Sequence, residues 1–231
     1  MKILAVSDVE LDLIYSPQIT TRFEDVDLLI GCGDLPYYYL EYMISMLNVP
    51  MYYVRGNHVS NVEAGATTER NEPWGAVDLH RKVLSDATGL ILAGIEGSLR
   101  YNFGSHQYSQ SEMWTFAFLM TPALFYHRLR YGRYVDILVT HAPPWKVHDS
   151  DDLPHRGIKA FNWLARVFKP AYHLHGHIHV YRSNTIRETR VGQTLVVNSY
   201  GYSKLEFNLK TLVDRFKAKP AGNQQRANHE R

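Results

Sequence analysis

The sequence predicts an α/β fold with two sheets, and three features of the chain predict it. Near the N-terminus, short apolar runs flank a stretch of helical periodicity, a strand–helix–strand crossover that implies parallel pairing. Several apolar runs stop at a carboxylate, an amide or an imidazole, as buried strands do when their C-terminal ends line a common crevice. From residue 180 onward the pattern alternates, with turn signals at Gly192 and Gly201, so antiparallel strands are expected to complete a second sheet.

The elements follow in order. Residues 3–6 and 26–30 read as strands, the first followed by Ser7-Asp8 and the second by Gly31-Cys32-Gly33-Asp34. Residues 37–47 carry helical spacing, and the strand over 49–54 ends in Arg55-Gly56-Asn57-His58. The polar stretch 59–86 has Gly and Pro but no period, so it reads as a long loop region with room for short elements. A strand over 89–95 precedes an aromatic-rich amphipathic helical region over 113–131, kinked or split at Pro122. Strand 134–140 ends in His141, helix 157–168 follows, and strand 171–175 leads into Gly176-His177-Ile178-His179. One domain is expected over 1–216, with a polar, mobile tail over 217–231.

Composition narrows the class. With 231 residues, 45% of them hydrophobic and 21% charged, the chain fits one soluble globular domain. A net charge of +2 without a dense Lys/Arg run gives no strong nucleic-acid signature and no membrane-binding surface. The single cysteine, Cys32, excludes an internal disulfide, and the chain opens on a strand-like run rather than a signal peptide, so a cytoplasmic location is expected. No apolar stretch approaches the roughly 18 to 20 residues of a membrane span. Histidine is the anomaly: of twelve, His141, His173, His175, His177 and His179 fall at or just after the ends of apolar runs, which suggests metal chemistry.

Each motif alone has an ordinary reading. Asp8 and Asp34 could be turn formers or helix caps, Gly56-Asn57-His58 a turn, and His141 a strand end. Gly176-His177-Ile178-His179 is harder to dismiss, because two imidazoles two residues apart in extended chain point to one side and Gly permits close backbone approach. Together, Asp, Gly-Asp, Gly-Asn-His, His and Gly-His-x-His at successive strand ends form the mixed imidazole and carboxylate set that holds divalent metals.

In this order the motifs resemble those of the calcineurin-like metallophosphoesterases, from Asp8 to His179. Thr140-His141-Ala142-Pro143-Pro144 and His175-Gly176-His177-Ile178-His179 look like the small single-domain branch, and Val196-Val197-Asn198-Ser199-Tyr200-Gly201 looks like its return strand. The resemblance implies a two-sheet β-sandwich core flanked by helices, in four α/β/β/α layers. It implies two divalent ions, of Mn, Fe or Zn, bridged by Asp34. Asp8 and His179 would complete one, and Asn57, His141 and His177 the other. His58 would be the catalytic side chain. The implied reaction is phosphoester hydrolysis by a metal-activated hydroxide, with a diester ahead of a monoester and a phosphorylated small molecule or nucleotide as substrate. The rival reading is a catalytically weak or inactive metal-binding scaffold of the same fold that mediates protein interactions.

The chain departs from that pattern twice. Glu10 stands where the family usually has His, and it can either ligate a metal or support the site from outside. Val59 stands where an acidic residue often follows the Gly-Asn-His motif, so a partner for His58 must come from elsewhere in the chain. In the loop after His141, residues His148, Asp149, Asp151, Asp152, His155 and Arg156 could face substrate or be solvated, with His155 and Arg156 the candidates to touch phosphate. His173 and His175 read as hydrogen-bonded core, Cys32 as a small buried side chain, and Tyr37, Tyr38 and Tyr39 as helix packing.

Overall fold

The computed structural model describes residues 1–58, 63–64, 69–182 and 184–208; the expected tail over 217–231 lies outside them. Along the chain run β1 (Lys2–Ser7), α1 (Ile19–Arg22), β2 (Leu28–Gly31), α2 (Tyr37–Leu47), β3 (Met51–Tyr53), β4 (Glu63–Ala64), β5 (Glu69–Arg70), β6 (Ala76–Asp78), β7 (Lys82–Ser85), β8 (Ile91–Ile95), β9 (Ser98–Leu99), β10 (Gln107–Tyr108), α3 (Gln110–Tyr131), β11 (Ile137–Thr140), α4 (Lys159–Phe168), β12 (Tyr172–His175), β13 (Glu188–Val191), β14 (Thr194–Asn198) and β15 (Gly201–Glu206).

Two sheets carry the fold. The first has the order β15-β1-β2-β3-β6, parallel throughout except where β15 runs antiparallel to β1. The second has the order β13-β14-β12-β11-β8-β7, parallel in the middle and antiparallel at both edges.

Strand periodicity sorts the side chains into layers. Ile3, Ala5, Leu28 and Ile30 of the first sheet meet Leu92, Ile137, Val139, Leu174 and Val197 of the second in one buried cluster. Leu4, Val6 and Leu29 face the other way, onto Ile19 of α1 and Tyr39, Leu40 and Met43 of α2. Ile91, Ala93, Ile95 and Leu138 likewise face Met113, Ala117 and Met120 of α3 and Phe161, Leu164 and Phe168 of α4. The result is the expected four-layer α/β/β/α sandwich. Each fully buried aliphatic or aromatic side chain contributes roughly 1.5–3 kcal/mol.

Three expectations are corrected in detail. The region 59–86 is less of a loop than its polarity suggested, since β6 edges the first sheet and β7 the second. Both are short and incompletely buried, which mutes their alternation. Helix α3 begins at Gln110, set by a capping box between Ser109 and Glu112, and runs unbroken past Pro122. Pro122 is on the exposed side of α3, where water can satisfy the carbonyl that lacks its amide partner. The C-terminal strands divide between the sheets: β13 and β14 extend the second, whereas Gly201, at φ 72°, starts β15, which closes the first. Among the described residues no helix is long and apolar enough to cross a membrane.

Candidate metal centre

The C-terminal ends of β1, β2, β3, β11 and β12 meet at one edge of the sandwich. The chain leaves three of these strands through left-handed residues that are not glycine: Asp8 (φ 66°), Asp34 (φ 53°) and His177 (φ 68°). Asp and His are among the side chains that tolerate this conformation, and such strain clusters at functional sites. The kink also corrects the sequence rationale for the last motif. His177 and His179 do not lie on one extended strand, since β12 ends at His175. His177 turns into the protein, while the His179 side chain remains 42% exposed.

Close approach explains two glycines. A Cβ on Gly56 would collide with the Asp34 carboxylate, and one on Gly176 would collide with Ser7 Oγ. Any larger residue would drive the strand ends apart.

Asp34, Asn57, His141 and His177 converge on one point. One ligand atom each from Asp34, His141 and His177 lies within 4.8 Å of the others. His141 is fully buried and donates Nδ1–H to the Cys32 carbonyl at 2.8 Å, which in the neutral ring leaves Nε2 as a lone pair. His177 donates Nε2–H to the Pro154 carbonyl at 2.8 Å, which leaves Nδ1 as a lone pair. These two nitrogens face each other at 3.1 Å. His141 Nε2 is also approached by Asn57 Oδ1 at 3.1 Å and by Asp34 Oδ2 at 3.2 Å. With both rings neutral, four acceptors meet without a proton among them, a poor arrangement unless a cation sits between them. This donor set fits a divalent metal.

The electrostatics agree. Burial disfavours charge on both Asp34 and His141, but each offsets the other: Asp34 is held down to about 2 by the His141 ring and the His58 N–H. The Asp34 and Asp8 carboxylates in turn hold His141 up to about 9, so a proton there takes the place of the cation in the metal-free protein. His177 is pushed down to about 3 by burial and by His141, and so stays neutral, as a ligand must. Asp8 is raised by burial despite accepting the His177 main-chain N–H at 3.0 and 3.1 Å.

The remaining candidates sit farther apart. Asp8 has a side chain only 1% exposed, with His179 Nε2 4.0 Å from its carboxylate. His179 Nδ1 is 2.7 Å from the Tyr181 hydroxyl. Glu10 is exposed and its carboxylate accepts the Tyr38 hydroxyl at 2.6 Å. His58 is exposed; its main-chain N–H donates to Asp34 Oδ1 at 2.8 Å. Of the loop residues, His148 turns inward and bonds His175 and Thr189, at 2.8 and 3.0 Å. His155 lies with its ring 5.4 Å from that of His177 and is held by Asp152 at 2.5 Å, whereas Arg156 bonds the Asp151 carbonyl. His173 and His175 are buried and hydrogen-bonded, to Thr140 and His148 respectively.

A profile of calcineurin-like phosphoesterases matches residues 1–181, more than three quarters of the sequence, and spans every one of these motifs. The chain belongs to the calcineurin-like phosphoesterase family. Members of this family bind divalent metals and hydrolyse phosphoesters, which accords with the donor set at Asp34, His141 and His177. Two solved structures share the fold at low identity. One superposes with a TM-score of 0.60 and 16% identity, over 88% of this chain and 94% of its own. The other, TT1561 of Thermus thermophilus, gives 0.56 and 16%, over 94% and 96%. A comparison with curated proteins gave no match.

Two polar residues were missed in the sequence, Tyr101 at the site of this phosphoesterase and Glu96 beside Arg55. Tyr101, in the turn between β9 and β10, brings its hydroxyl to both Asn57 and His58. Glu96, directly after β8, is buried and accepts Tyr108 Oη at 2.6 Å and His106 at 3.1 Å, next to the Arg55–Asp78 pair. Burial disfavours its charge, yet His106, His80 and Tyr108 hold it down to about 2. The signal for Glu96 was present, a carboxylate following an apolar run, as at Asp8. Nothing local marked Tyr101.

Proposed function

We propose that this phosphoesterase hydrolyses a phosphodiester at a centre for two divalent ions of the Mn, Fe or Zn type. Asp34 would be shared, Asn57, His141 and His177 would complete one ligand set, and Asp8 and His179 the other. The observation that carries the reading is the convergence of four acceptors on one point beside an exposed imidazole, His58. Bound ions would supply Lewis acidity toward the phosphoryl oxygens and a water that ionises near neutral pH. The chain's own residues do the rest. The Asp34 carboxylate holds the His58 main-chain N–H, and His58 would stand beside the reacting phosphorus and give a proton to the leaving oxygen as its bond to phosphorus breaks. The water oxygen forms the new bond to phosphorus, and its proton passes to solvent.

A diester is put ahead of a monoester by analogy with single-domain relatives that carry the Asn-His motif, here Asn57-His58. A phosphorylated small molecule or a nucleotide is the substrate class.

One observation favours the scaffold reading: Glu10 is turned to Tyr38, so the Asp8 and His179 side gains no ligand where the family usually has His. The experiment that separates the two is hydrolysis of di- and monoesters with alkyl leaving groups, which depart only when protonated, by His58→Ala at full metal content. Turnover about 10²–10⁴-fold below the parent supports catalysis through His58. An equal rate in both proteins refutes it.

A further inference from the structure

His58 has no acidic neighbour in sequence, because Val59 follows it, and its ring is exposed. The main-chain bond to Asp34 fixes the backbone at His58 but leaves the ring free to rotate. Among the described residues, one side chain restrains it. Tyr101 Oη lies 3.4 Å from His58 Nε2 and accepts Asn57 Nδ2–H at 3.1 Å. With one lone pair taken by Asn57, the phenol can donate its own proton to a neutral His58, or accept Nε2–H from a protonated one. In either state Nε2 is held and Nδ1 is left for proton exchange.

Tyr101 is itself pinned. The main-chain N–H groups of Tyr101 and Asn102 both donate to Gln107 Oε1 at 3.1 Å, and Gln107 Nε2 donates to Asn102 Oδ1 at 2.6 Å. Gln107 is 5% exposed and belongs to β10, which pairs with β9, so both ends of the turn are anchored in strands.

We infer that Tyr101 is the positioning residue for His58, doing through its hydroxyl what a carboxylate next in sequence would otherwise do. A neutral phenol orients the ring without adding negative charge beside Asp8 and Asp34. This rests on the reading that His58 protonates the leaving oxygen.

The test is Tyr101→Phe in the full-length, metal-loaded protein. On a diester with an alkyl leaving group, kcat falls about tenfold, the size of one hydrogen bond, with KM within about twofold. On a nitrophenyl ester, whose leaving oxygen needs little protonation, the fall is smaller. At saturating metal, which removes any loss of affinity from freeing the Asn57 amide, Tyr101→Phe has no further effect on kcat in a His58→Ala background. A readout independent of turnover is the ¹⁵N spectrum of histidine-labelled, zinc-loaded protein. There the His58 ring, assigned by its loss in His58→Ala, changes tautomer balance in Tyr101→Phe. An unchanged ring signal, or an equal loss of kcat in the His58→Ala background at saturating metal, overturns the inference. Absence of turnover in the parent protein refutes the hydrolase reading instead, and the ring signal still decides for Tyr101.

Discussion

Gly56→Ala tests how tightly the site is built. The backbone of Gly56 is outside the left-handed region, so alanine meets no conformational penalty and the effect comes from the added Cβ alone. That atom would collide with Asp34 Oδ1 and lie 2.6 Å from the Asp34 main-chain nitrogen. Asp34 cannot step aside freely, because Oδ1 holds the His58 N–H at 2.8 Å and Oδ2 faces His141 at 3.2 Å. Overpacking of this kind costs about 1–3 kcal/mol. If Asp34 holds its place, the cost falls on the stability of the metal-free protein. If Asp34 swings out, it falls on metal affinity, as roughly a 5- to 150-fold loss. Gly89→Ala is the control, since Gly89 has φ 85° with nothing within 4 Å of its added Cβ. It should lose about 1–2 kcal/mol of stability from backbone strain and no metal affinity. Urea midpoints of the metal-free proteins and calorimetric titration with Zn²⁺ read both quantities. A Gly56→Ala protein matching the parent in both would refute the crowding at Asp34.

Other expectations follow from the same contacts. In metal-free protein, His141 titrates near 9 against about 6.5 unfolded, so its stabilisation is complete below about pH 6.5 and is lost as pH rises through 9. His148 and His173, pushed down to about 4 and 3 by burial, act oppositely: the unfolded chain protonates first, so stability is lost as pH falls below 6.5. Stability should therefore peak near pH 6.5, with each histidine contributing at most about 1.4 kcal/mol per pH unit, and metal loading should flatten the alkaline limb. A monotonic rise in urea midpoint from pH 5 to 9 in the metal-free protein would contradict this. Pro122→Ala restores the amide missing from α3 on its exposed side and should stabilise the protein by about 1–3 kcal/mol, read as a raised urea midpoint.

Much of the fold was legible because most of its central strands are short, largely apolar runs followed within a few residues by a polar one, as at Val6-Ser7-Asp8 and Ile30-Gly31-Cys32-Gly33-Asp34. The less legible strands were those whose burial is partial. β6 and β7 sit at sheet edges, where alternation is weak, and β15 looked like a neighbour of β14 until the turn at Gly201 carried it to β1. The site was legible at the level of motif order, since Asp8, Asp34, Asn57, His141 and His177 each follow a strand. Sequence could not show that Glu10 turns to Tyr38, or that the left-handed kink at His177 separates it from His179. Nor could it find Tyr101, whose role depends on a turn folded back over 43 residues to His58.

The most direct measurement is hydrolysis of a phosphodiester with an alkyl leaving group and the matching monoester by metal-stripped protein, with Mn²⁺, Fe²⁺ or Zn²⁺ restored, beside Asp34→Asn and His58→Ala. The account predicts metal-dependent turnover with the diester preferred. Asp34→Asn should lose both metal and rate, and His58→Ala should keep its metal while losing rate. Metal binding without turnover on either ester, or equal metal loss in both variants, would contradict it.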